Sequence, residues 1–249
     1  MKVNLRSTAQ LILSRSVRRR IYRYTRWPPV GLVRLGNLRR VKPISLAYGF
    51  DRGLPVDRYY IERFLTAHAL DIHGHILEIK EDLYGSRFGG DRVTMLDILH
   101  PEKGNPAASI VADLTCADHI PTDTFDCIIL TQTLHLIYDV RTALATLYRI
   151  LKPGGVLLTT VSGISKISRE DMDRWGHHWS FTTRSSERLF QEFFPETNVK
   201  VEAHGNVLAA VAFLHGLASE ELRREELDHF DPDYQVLISI RAIKPEASA

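Results

Sequence analysis

From about residue 57 onward, short apolar runs alternate with segments of helical periodicity. Val56 to Ala69 places Ile61, Phe64 and Leu65 on one face and predicts a helix. His75 to Ile79 is a short apolar run suited to a buried parallel strand. Arg92 to Leu96 and Ser109 to Ala112 predict a second and a third strand, and the very apolar run Phe125 to Leu130 predicts a fourth. Val140 to Leu151 predicts a helix with Leu144, Leu147, Tyr148 and Leu151 on its inner stripe, stopped by Pro153-Gly154-Gly155. Val156 to Val161 predicts the fifth strand. Ser185 to Phe194 predicts a helix, Val199 to Ala203 a strand, Asn206 to Leu217 an apolar helix and Tyr234 to Ala242 the last strand. This alternation predicts an α/β fold, a doubly wound, seven-stranded, mostly parallel sheet with helices on both faces. Ligands are then expected at the C-terminal ends of the strands.

Composition narrows the picture. The 249 residues are 44% apolar and 25% charged, which supports a sizeable core and argues against disorder. Two cysteines, Cys116 and Cys127, cannot form a disulfide scaffold, so a reducing, cytoplasmic setting is expected. Cys127 and Met172 read as core or filler rather than chemistry. The net charge of +2 hides an asymmetry: residues 1–50 hold twelve Lys and Arg and no acid, leaving 20 bases against 30 acids in the rest. Residues 1–50 therefore read as a basic N-terminal arm before a body of residues 51–249. In the arm Leu11, Ile12, Leu13, Val17, Ile21, Tyr22, Tyr24 and Trp27 are interleaved with arginine. That mixture suits contact with a membrane surface or a lipid-linked substrate. RNA is a less favoured partner. An acidic protein, packing on the body as a lid or dimer element, and a transit peptide are the other readings. Oligomeric state is left open.

Three pieces together resemble a class I S-adenosylmethionine-dependent methyltransferase: Ile76-Leu77-Glu78-Ile79 leading into a turn; Ala112-Asp113-Leu114 with Ile120-Pro121 and Phe125 to Leu130; and Thr133 to Asp139 running through Leu151-Lys152-Pro153-Gly154-Gly155. The resemblance spans roughly residues 57–243 and implies a Rossmann-like fold with S-adenosylmethionine as cofactor. It departs from the family after the first strand, where Lys80, Asp82 and Tyr84 stand in place of the usual glycines. A bacterial subgroup associated with glycan and secondary-metabolite gene clusters also lacks the full glycine run. The chain resembles it in Phe50 to Ile61, Tyr84, Phe88-Gly89-Gly90 and Trp175 to Thr182, and this resemblance implies that the Arg52 to Tyr60 stretch lies beside the cofactor site. The implied activity is O-methylation of a glycan or small-molecule hydroxyl. The alternatives are a degenerate fold used as a binding or assembly module and an RNA methyltransferase.

The expected cofactor contacts are Tyr59, Glu78, Ile79, Lys80, Tyr84, Asp97, Ile98, Asp113, Leu114, Thr131 and Gln132. Asp97, read at the end of the second strand, suits both ribose hydroxyls because a carboxylate accepts two hydrogen bonds. Asp113 suits the adenine amino group, with Leu114 and Ile98 sandwiching the base. Glu78 suits orientation of the turn, Lys80 the methionine carboxylate, and Tyr84 a cover. Thr131 and Gln132 suit the floor under the methyl group. The candidate bases are His135 and His178, since imidazole titrates near neutrality. Adjacent His177 and His178 point different ways, so only one of them is expected to face the acceptor. Trp175, Trp179 and Phe181 suit either an acceptor wall or packing on the sheet. No metal is expected, because the ligand-type residues are scattered.

Overall fold

The structure is a computed structural model that describes residues 14, 16–17, 27–81 and 83–246. It divides into two units, Met1–Lys42 and Pro43–Ala249. The boundary falls before residue 50 because residues 43–50 belong with the body. The N–H groups of Ile44 and Ser45 donate to the carbonyl of His215, at 2.8 and 3.0 Å. Most arm residues named above, and Asp82 of the turn, lie outside the described residues.

The larger unit holds one seven-stranded sheet in the order β3-β2-β1-β4-β5-β7-β6. Its strands are β1 Gly74–Ile79, β2 Val93–His100, β3 Ile110–Val111, β4 Phe125–Thr131, β5 Leu151–Ser162, β6 Val199–His204 and β7 Leu237–Ile243. Strands β1 to β5 run parallel, and β7 pairs antiparallel with both β5 and β6. This is the mostly parallel, doubly wound Rossmann-like sheet the pattern predicts.

The central strands β4, β5 and β7 are mostly buried and apolar because both faces of the sheet are covered there. Alternate residues feed two cores. Leu77, Ile128, Leu130 and Leu157 join the helix α3, Val140–Ile150, and α5, Thr183–Gln191. Ile76, Cys127, Ile129 and Leu158 join α1, Val56–Ala67, and α6, Val207–His215. The helix starts have local causes. The Asp139 side chain accepts from the Thr142 N–H, Thr182 caps α5 reciprocally with Ser185, and Asn206 accepts from Leu208 and Ala209. The cap at Thr182 starts α5 two residues before the expected Ser185.

Other differences concern boundaries. Strand β2 runs on to His100, four residues beyond the expected end, so Asp97 lies within it. Helix α3 stops at Ile150 and Leu151 is already extended. The Lys-Pro-Gly-Gly stretch is a register shift inside the β4–β5 pairing, with Gly154 at φ +76°. Three short helices carry no apolar stripe long enough to announce them: α2 Gly85–Gly89, α4 Arg169–Arg174 and α7 Arg224–Asp228.

Candidate functional site

A cleft of about 590 Å³ opens at the C-terminal ends of β1, β4 and β5. That volume is in the range of small-molecule sites. Three sheet tips and their following turns supply its floor, and α1, α4 and the stretch around Tyr48 supply its walls.

The tip of β1 is organised by Glu78. Its buried carboxylate accepts from the N–H groups of Leu83 (3.2 Å), Tyr84 (3.1 Å) and Gly85 (2.7 Å). One side chain therefore satisfies amides that would otherwise face a dry interior. Lys80 adopts φ +81°, the left-handed backbone usually left to glycine. Its own N–H donates to the Leu99 carbonyl at 2.8 Å, and Asn105 Nδ2 donates to its carbonyl at 2.8 Å. The turn thus takes a glycine-type path without glycine at this position. Gly85 lets the turn approach the core closely: a Cβ there would stand 2.7 Å from Ile76 Cδ1, which would have to shift. Tyr84 packs into the core beside Phe88, and burial raises its hydroxyl pKa. With Lys80 and Tyr84 in these places, the cleft stays open.

The tip of β4 repeats the theme. Gln132 has φ +48° and its N–H donates to the Thr160 carbonyl at 2.9 Å. Tyr48, on the opposite wall, has φ +60°. Strained backbone of this kind persists where the surroundings over-determine it and gathers at ligand sites. Next to Gln132, a 3₁₀ turn at Leu134–Leu136 carries His135. The backbone N–H of His178 donates to the His135 carbonyl at 2.8 Å, which places the His177 ring 4.7 Å from the His135 ring. Burial, and then the neighbouring His177, lower the His135 pKa to about 4. Burial also lowers that of His177, against an opposing pull from Asp171. Both imidazoles are therefore neutral at pH 7. Their Nδ1 atoms and the Ser162 Oγ are buried without a hydrogen-bond partner among the described residues. Buried polar groups are ordinarily paired, so these three are unsatisfied groups on residues that border the cleft.

Charge in the cleft leans negative. Asp57, Glu62, Glu78, Glu81, Glu170 and Asp171 face Arg58, Lys80 and Arg87. Arg87 is held by Glu62 through two bonds of 2.7 Å, and Arg58 reaches Asp57 at 3.2 Å. Burial raises the Asp57 pKa, with Arg58 opposing it.

Of the expected residues, Glu78, Ile79, Lys80, Tyr84, Thr131, Gln132 and His135 line this cleft. Six do not. Tyr59 turns away, its hydroxyl donating to Asp228 at 2.6 Å, while Asp57 and Arg58 of the same helix face inward. Asp97 lies three residues before the end of β2, taken up by His75 Nε2 (2.7 Å) and by the Ser109 hydroxyl (2.6 Å). Ile98 and Leu114 are buried in the fold. Asp113 stands exposed after β3 and accepts from the Thr115 N–H (2.8 Å) and hydroxyl (2.9 Å). His178 is exposed and packs edge-on against Tyr138, so His177 is the member of the pair on the cleft. Trp175, Trp179 and Phe181 pack elsewhere: against His100, against Tyr138 and in the core. Met172 is exposed rather than core. Sequence reading missed Tyr48, Ser162 and Asp171, whereas Asp57 and Arg58 fall within the Arg52 to Tyr60 stretch expected beside the cofactor. Only Ser162, a hydroxyl at the end of β5, follows the strand-tip rule that could have found it.

Residues 59–159 match the sequence profile of a family described as a methyltransferase domain. No curated protein sequence matches the chain. Among solved structures, the chain is similar to an S-adenosylmethionine-dependent methyltransferase from Mesorhizobium loti. There the identity is 16%, the match covers 76% of this chain and 98% of that one, and the TM-score is 0.49. A [4+2]-cyclase, SpnF, gives 14% identity, 74% and 81% coverage and a TM-score of 0.47. Phosphoethanolamine N-methyltransferase 2 of Haemonchus contortus, solved with S-adenosyl-L-methionine, gives 14% identity, 77% and 57% coverage and a TM-score of 0.44.

Proposed function

We propose that this chain, whose residues 59–159 match a methyltransferase domain, is a class I S-adenosylmethionine-dependent methyltransferase that methylates a hydroxyl group of a glycan or small molecule. The observation that carries this reading is the cleft at the tips of β1, β4 and β5, where a neutral imidazole pair and a serine hydroxyl have polar atoms without partners.

The lining fits the cofactor. Six carboxylates against three cations favour a ligand bearing sulfonium and ammonium charge. Lys80 is the cation suited to its carboxylate, Glu78 holds the turn that presents Lys80, and Thr131 and Gln132 underlie the methyl group. Asp113 lies outside the cleft lining and is bonded to Thr115, so it meets the adenine amino group only where a bound nucleoside extends past the cleft to the end of β3. When bound, the cofactor supplies an activated methyl group for in-line displacement. The chain's own share is alignment, worth several kcal/mol when reactants are held near attack distance. His135, already unprotonated at neutral pH, accepts the acceptor's proton, with His177 beside it.

The test uses the intact chain with methyl-labelled S-adenosylmethionine and a panel of saccharide and phenol acceptors. Label is expected as an O-methyl ether, with turnover reduced roughly 10²-fold or more in His135→Gln while S-adenosylhomocysteine affinity is kept. Transfer to nitrogen or carbon only refutes the hydroxyl reading, and an unimpaired His135→Gln enzyme removes His135 as the base. Calorimetry tests the adenine assignment separately: Asp113→Ala is expected to weaken cofactor binding, and unchanged affinity leaves that residue outside the site.

A further inference from the structure

The smaller unit contains a surface that the proposed reaction does not use. Between Trp27 and Lys42 the large apolar side chains of Trp27, Val30, Leu32, Val33, Leu35 and Val41 all project into solvent. Leu35 is the least exposed of the six at 48%, and Trp27 is 90% exposed. Scattered single apolar residues need no explanation, but six within one short segment do. Interleaved with them are Arg34, Arg39, Arg40 and Lys42, all exposed, and no acid stands anywhere in residues 1–50.

We propose that residues 27–42 dock this protein onto an anionic membrane surface. Two properties select that partner. Continuous positive charge without any internal counter-charge complements acidic headgroups. Aliphatic valine and leucine side chains gain from entering the acyl boundary, which adds a second, non-ionic attachment to the first. Single-stranded nucleic acid would reward stacking platforms instead, and Trp27 is the one aromatic residue in this segment. Among the described residues no helix is long and apolar enough to cross a membrane.

The experiment is co-sedimentation of the intact protein with vesicles of phosphatidylcholine alone or with about 30% phosphatidylglycerol. Recovery is expected on the anionic vesicles and not on the neutral ones, and it should fall as salt rises from about 0.1 M to about 0.5 M. Changing Arg34, Arg39 and Arg40 to glutamine should weaken partitioning about a hundredfold, roughly fivefold per cation. Changing Val30, Leu32, Val33 and Leu35 to serine should cost roughly tenfold or more while leaving the charge intact. All seven side chains are at the surface, and thermal unfolding together with S-adenosylhomocysteine affinity, unchanged in both variants, separates lost docking from lost folding. Equal recovery on neutral vesicles, indifference to both variants, or binding to a single-stranded RNA with none to anionic vesicles overturns the proposal. None of these readouts needs methyl transfer, so the docking surface and the proposed reaction stand or fall separately.

Discussion

Glu78 and Asp97 sit on neighbouring strands, one register step apart, and do different work. Asp97 pairs across to Leu77, and Glu78 to Ile98. β1 ends one residue after Glu78, so the carboxylate meets a free turn and collects its amides beside the cleft. β2 continues three residues past Asp97, so that carboxylate remains inside the sheet and bonds His75 and Ser109. How far a strand runs beyond an acid decides whether the acid shapes a ligand site or ties strands together.

The largest test of this difference is Glu78→Gln. An amide oxygen cannot replace a buried carboxylate that accepts from three N–H groups, so stability should fall by roughly 3–4 kcal/mol in urea titration. A loss under about 1 kcal/mol would mean that the turn holds itself.

A comparable effect is expected on the cleft side of Glu78, through pH. The His135 pKa is about 4 in the fold, against 6.5 when unperturbed. The unfolded chain therefore takes up this proton first as pH falls. The contribution is complete above pH 6.5 and is lost as pH falls from there to about 4, on the order of 3 kcal/mol. His135→Gln should flatten that part of the stability profile, measured by urea midpoints across the range. An unchanged slope would place the acid sensitivity on other histidines.

Asp97→Asn should cost only about 1–2 kcal/mol, because one of its two partners can still be served. Its cofactor affinity, read by calorimetry, should stay within about threefold of the parent. A complete loss of binding would return Asp97 to the cofactor site and erase the contrast with Glu78. The smallest effect is Lys80→Gly. Relief of the left-handed backbone at φ +81° offsets the added freedom of the unfolded chain, for a net gain of about 0.5 kcal/mol in thermal unfolding.

Much of this was legible in the sequence. The strands buried on both faces are continuous apolar runs, and β1, β4 and β5 can be placed from those runs alone. The side of the sheet where ligands bind follows from parallel topology, and Glu78, Thr131, Gln132 and His135 follow from it. The end of β2 was not legible, because Ile98-Leu99-His100 after Asp97 does not distinguish a strand from a turn. Nor was the choice between His177 and His178, which is made by a backbone hydrogen bond from His178 to His135, a contact between segments far apart in the chain. Asp171 lies on a short helix whose polar face reads as ordinary solvent-facing surface, and only tertiary packing turns it toward the cleft.

The central claim is that a nucleoside sulfonium sits over the tips of β1, β4 and β5 despite the non-glycine turn. The most direct measurement is a crystal of the intact chain grown with saturating S-adenosylhomocysteine. The account predicts ligand density bounded by Lys80, Gln132 and His135. Density at another surface, or an empty cleft in a crystal holding the ligand elsewhere, would contradict it.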